Sequence, residues 1–185
     1  MITQADAVRI VEEELVREDQ RSLARGVDPV RAAVVRVSEH ELVWMVHWQS
    51  AEFARTGDTG AALVGNGPYL VDRVDGGLHR IGAVAAKGGE WETDYRVRVR
   101  GMRVRTPVDD LHDEIRAIAA AKGRLPAVRT LRDRLPELHL THAMQYVSAL
   151  VEGEVPAHFT AIATARLVDP VDPVLAVTTI HPGTP

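Results

Sequence analysis

The sequence predicts an α+β fold: an N-terminal helix packed on an antiparallel sheet of about four strands, followed by a small, mainly helical module. Three observations predict it. A capped amphipathic segment opens the chain, short β-prone runs separated by glycine turns occupy residues 32–81, and helical periodicity returns after residue 107.

The first helix starts at Thr3-Gln4-Ala5-Asp6, where Thr3 can accept a backbone N–H and Asp6 sits in the positively polarised first turn. It is expected to run to about Ala24 and to end before Gly26 and Pro29. Val8, Val11 and Leu15, with Ala7 and Ile10 beside them, form the apolar stripe, while Glu13, Glu14 and Arg17 are expected to face water. Ala32–Val37 and Leu42–Gln49 then form a hairpin across the polar Ser38–Glu41. A period of two puts Leu42, Trp44, Val46 and Trp48 on one face, expected beneath the helix, and Val43, Met45, His47 and Gln49 on the other.

Gly65-Asn66-Gly67-Pro68 reads as a tight turn, because glycine and asparagine reach positive φ cheaply and proline presets φ. It feeds a strand over Tyr69–Arg73, and a second turn at Asp75-Gly76-Gly77 leads into Leu78–Ile81, completing an α+β domain over residues 1–95. In residues 96–106 five arginines alternate largely with valines, which favours a strand or linker with one arginine-lined face. Residues 107–152 read as helices over Val108–Lys122, Leu125–Leu135 and Thr141–Val151. Residues 153–185 are expected as an extended, partly disordered segment. Its β-prone runs Thr160–Val168 and Val174–Ile180 either complete a sheet or lie over the body.

The chemistry is sparse. With no cysteine among 185 residues, disulfides, thiol nucleophiles and cysteine-bound metals are excluded. The glycine turn lacks the lysine of a phosphate-cradling loop, and no Gly-x-Ser-x-Gly elbow or HExxH pattern occurs. No catalytic residue, cofactor or metal is therefore expected; His139 and His142 straddle a helix start, and Asp58 and Asp75 suit local turns. The start of the chain carries Asp6 and Glu12–Glu14 where a signal peptide needs a basic and then an apolar block, so a cytoplasmic protein with no membrane partner is expected. A net charge of −4 argues against a nucleic-acid binder and suits a basic partner. Glu13, Glu14 and Glu18 are then candidates for an electrostatic landing site, with Asp58 and His79 as further candidate contacts near the turns.

Thr56-Gly57-Asp58, Gly65-Asn66-Gly67-Pro68, Val71-Asp72, Gly77, His79 and Gly82, behind a helix opening Met1-Ile2-Thr3 and a tryptophan-rich strand, together resemble the YrhB-type family of bacterial immunity proteins, immunity protein thirty-five. The resemblance covers the first half of the chain. It implies a non-enzymatic protein that binds and neutralises a cognate toxin by stoichiometric occlusion, and it carries no catalytic residues with it. A chaperone-like or housekeeping protein-binding domain is the alternative. A hydrolase would need a pocket holding His79 with Asp58 or Asp72. Residues 123–153 also resemble the helical hairpin in the C-terminal domain of the ribosomal stalk protein, with Pro136, Glu137, His142 and Gln145 departing from that pattern, so only its packing motif is implied.

Overall fold

The computed structural model describes residues 1–183. The chain divides into two compact units, one made of Met1–Met102 together with the segment from Val171 onward, the other of Arg103–Pro170.

The first unit is the α+β body. Helix α1 (Gln4–Ala24) begins with a reciprocal capping box: the Asp6 N–H donates to Thr3 Oγ1 at 3.2 Å and the Thr3 N–H donates to Asp6 Oδ2 at 3.1 Å. Strands β1 (Ala32–Glu39), β2 (Val43–Ser50), β3 (Tyr69–Asp72), β4 (Leu78–Arg80) and β5 (Thr178–His181) form one antiparallel sheet in that spatial order. The fifth strand comes from the valine-rich 174–180 run, which completes the sheet. Between β2 and β3 lie the short helix α2 (Ala51–Thr56) and a 3₁₀ turn over Thr59–Ala61; after β4 come α3 (Ala85–Gly88), α4 (Trp91–Asp94) and a π turn over Tyr95–Val99.

The sheet has a core on each face. On one, Ala7, Val11 and Leu15 of α1 cover Val46, Tyr69, Val71 and Leu78, with Trp44 and Trp48 at the margin, as the period of two predicts. On the other, Trp91 and Tyr95 close over Val43, Leu70 and Ile81. Leu42 belongs to this second core; it precedes β2, so the strand's alternation does not govern it.

The arginine-rich run is not a strand. Trp91, Tyr95 and Val99 recur every fourth residue against the core, while Glu92–Arg96 pairs at i,i+4 on the outside and Arg98 reaches back at i,i+4 to the buried Asp94. Helical spacing therefore outweighs the alternation, and the helix widens at its end, where the Arg100 N–H donates to Tyr95 O at 3.0 Å.

The second unit is all helical: α5 (Pro107–Lys122), α6 (Arg124–Arg134), α7 (Leu140–Glu152) and α8 (Ala157–Leu167). Leu111, Ile115, Leu131, Leu135, Tyr146, Val147, Leu150 and Phe159 build its core. Helix α8 occupies most of the Thr160–Val168 run expected as an extended segment. Phe159 and Ala163, four apart, are buried, and Phe159 stacks on Tyr146 with centroids 4.8 Å apart, so packing overrides the β propensity of Thr160, Ile162 and Thr164. The disorder expected for the last few residues concerns a stretch whose final two positions, 184–185, lie outside the described residues. No helix among the described residues is long and apolar enough to cross a membrane.

Candidate partner-binding surface

The glycine turn is fastened to β2 by side chains from both directions. The Trp48 indole N–H donates to Gly67 O at 3.1 Å, and the Asn66 amide donates to Trp48 O at 2.7 Å. Gln49 makes the pairing two-sided: its amide donates to Leu63 O at 2.8 Å, and its Oε1 accepts from the Leu63 N–H at 2.7 Å. Gly65 supplies a φ of +83°, while Gly67 is required for another reason, since a Cβ there would lie 1.9 Å from Ile81 O. The segment 63–68 is thus a fixed strap. Asp58 sits outside it, exposed, accepting the Gly60 N–H at 2.9 Å as a local turn residue.

Asp72 and His79 are interior groups. Asp72 is fully buried; Oδ1 accepts the N–H groups of Val74 and Asp75 at 2.8 and 3.2 Å, and Oδ2 accepts the Tyr95 hydroxyl at 2.6 Å. The Arg100 Nε lies 2.7 Å from the same oxygen but off the hydrogen-bonding direction, which makes it an ion contact only. Burial, then the Asp72 carboxylate, pushes the Tyr95 phenol far above its ordinary range. His79 rests edge-on against Tyr95 with Nδ1 3.0 Å from Thr179 Oγ1 on β5, and burial holds its imidazole below the ordinary range despite the nearby Asp72. As a direct contact for a partner, His79 is thereby corrected: it is only 3% exposed and bonds to β5.

The acidic face of α1 is also corrected at its centre. Glu14, expected in water, is fully buried, with Arg17 Nη1 and His181 Nε2 each 2.8 Å from Oε2 and the Arg21 guanidinium on Oε1. Burial would raise its carboxyl, but hydrogen bonds from His181, Arg21 and Arg17 outweigh it and hold the group low. The cause of this inversion is geometric: Glu14 lies three residues after Val11 on the sheet-facing side, where β5 brings His181 to meet it. Glu13 is exposed but paired with Arg9 at 2.8 Å and Arg17 at 3.3 Å, and Glu18 approaches Arg80 at 3.7 Å. The three glutamates expected to form the landing site are therefore each engaged by an arginine.

The outer face of the sheet is left open toward β1. Register places Arg36 opposite His47, Ala33 opposite Gln49 and Ser38 opposite Met45, all away from α1. A cleft of about 330 Å³ lies between this face and the strap, bounded by Arg36, His47, Gln49, Asn66 and Pro68. The Arg36 Nη2 donates to His47 Nε2 at 3.1 Å. Burial, then the Arg36 charge, holds His47 below the ordinary imidazole range, so it stays neutral and serves as an acceptor. Sequence reasoning placed His47 and Gln49 on this face but did not single them out, and it missed Arg36. The available signal was the change from Val43 and Met45 to His47 and Gln49 along one face, which marks where the covering core ends.

The model of the family described as Immunity protein 35 matches residues 5–96. A curated relative, "Uncharacterized protein YrhB" of Escherichia coli (strain K12), is 34% identical over 55 residues, which are 30% of this chain and 57% of the relative. The chain thus spans little more than half the length of the curated relative it matches. No solved structure matches it.

Proposed function

The N-terminal half of the chain, residues 5–96, belongs to the Immunity protein 35 family, and from that premise we propose that the protein binds a cognate bacterial toxin and neutralises it by stoichiometric occlusion, without turnover. The family match carries the reading. The state of the buried polar groups supports it: Asp72, Glu14 and His79 are each engaged by neighbours within the unit, which suits scaffold roles better than groups poised for proton transfer. The strap and the open sheet face supply what an inhibitor surface needs, a rigid shape that loses little freedom on docking. On this reading the protein acts in the cytoplasm of the producing cell, and its gene lies beside that of the toxin.

Co-expression with the toxin domain encoded by the neighbouring reading frame tests the proposal. Growth should be restored, and the two chains should co-elute as a complex of fixed composition. Continued killing despite equal expression of both chains would overturn it.

A further inference from the structure

Arginines elsewhere in the first unit are mostly satisfied: Arg17 and Arg21 by Glu14, Arg73 by Glu39, Arg96 by Glu41 and Glu92, Arg98 by Asp94 and Arg100 by Asp72. Arg36 differs. It is exposed at the edge of the cleft, and its one side-chain partner is the neutral His47, with no carboxylate paired to it among the described residues. Arg25, Arg31, Arg55 and Lys87 are likewise exposed without ion pairs among the described residues, but none of them lines the cleft. Of these cations only Arg36 lines the cleft, so the sheet face that the helices leave open carries one positive charge with no carboxylate beside it among the described residues.

The chemistry of the cleft suits a carboxylate. The guanidinium has N–H donors remaining after the bond to His47, in a planar fork that matches a carboxylate in two-point contact. The floor and rim are fixed, because the Gln49 and Asn66 side chains are tied to Leu63 O and Trp48 O. Strand β1 runs alongside as an edge strand and bulges at Val35, which is 44% exposed, so backbone and apolar contacts adjoin the charge.

We infer that this cleft is where the toxin is gripped, with an acidic side chain of a toxin segment lying along β1 inserted against Arg36 beside His47. The inference rests on the neutralisation reading above and reverses the charge logic expected from α1: the attracting surface is basic and lies on the sheet, and the matching toxin surface is acidic. Arg36 fixes the register of the toxin, the Gln49 and Asn66 ties keep the cleft open, and the edge of β1 supplies the surrounding contact area.

The test compares calorimetric affinities of purified wild type, Arg36→Gln, Arg36→Glu and Glu13→Arg for the toxin domain encoded beside the gene, after circular dichroism has shown equal folding. The Arg36 variants should bind about tenfold or more weakly, with charge reversal the worse of the two, while Glu13→Arg should bind like the wild type. Wild-type affinity for both Arg36 variants, with a tight wild-type complex, overturns the cleft and leaves the neutralisation reading standing. A wild type that does not bind the toxin overturns both, as does wild-type binding of single-stranded RNA in its place that Arg36→Glu abolishes.

Discussion

Gly65 and Gly67 stand two positions apart and constrain the strap for different reasons, so their substitutions should separate. Gly65 has positive φ and open space around it, and Gly65→Ala should cost about 1 kcal/mol of backbone strain. At Gly67 the new methyl would collide with the Ile81 carbonyl, and Gly67→Ala should cost about 3 kcal/mol or more because backbone must move. Urea unfolding of the two variants checks the order. In the interior, Asp72→Ala removes the buried carboxylate shared by Tyr95 and Arg100, leaves the half-buried guanidinium without its ion partner and should cost about 3 kcal/mol. Tyr95→Phe should cost less, about 1–3 kcal/mol. Acid sensitivity follows from His79 and Glu14, whose folded-state pKa values lie below their unfolded ones. The unfolded chain then binds more protons as pH falls, so stability drops first below about pH 6.5, from histidine, and again below about pH 4.5, from the carboxylate. A urea midpoint that rises between pH 7 and pH 5 would contradict this, and His79→Asn should flatten that part of the profile.

At the scale of elements, the sheet depends on a strand delivered from far along the chain. β5 pairs with β4, His181 reaches Glu14, Thr179 holds His79, and the Val177 N–H donates to Asp94 Oδ2 at 2.8 Å. A fragment ending at residue 96 would keep the family-matched segment yet lose these contacts together with Arg98 and Arg100. Its far-ultraviolet dichroism and urea transition should show a much less cooperative fold, and a transition matching that of the full chain would refute the dependence on β5. The elements readable from sequence were those whose pattern is local. The capping box of α1, the Trp44–Val46–Trp48 alternation and the glycine turns each state their own geometry within a few residues. The arginine run hid its helix because charged side chains at 96, 98 and 100 satisfied a period of two, while the decisive period ran through Trp91, Tyr95 and Val99. Helix α8 was masked by threonine and isoleucine, whose propensity yielded to the burial of Phe159 and Ala163. Glu14 and His79 were misread for a common cause: their partners, His181 and Thr179, lie more than 90 residues away, at sequence separations of 167 and 100.

For the molecule as a whole, charge and rigidity point the same way. Glu13, Glu14 and Glu18 of α1 are engaged by neighbouring arginines, the buried Glu14, Asp72 and His79 are held by partners, and Arg36 stands without a carboxylate beside a braced cleft. Such a body is suited to holding a surface in one shape for another protein to meet, and its association with an acidic toxin should slow as salt rises. Stopped-flow association rates at low and high ionic strength check that trend. The candidate surface was only half legible in advance, since the alternation in β2 assigns His47 and Gln49 to a face but cannot say that α4 stops short of covering them. The most direct measurement of occlusion without turnover is a titration of toxin activity against the purified protein at toxin concentrations well above the dissociation constant. Activity should fall linearly and end at a fixed molar ratio that does not change with incubation time; progressive loss of toxin activity at substoichiometric protein would contradict the account.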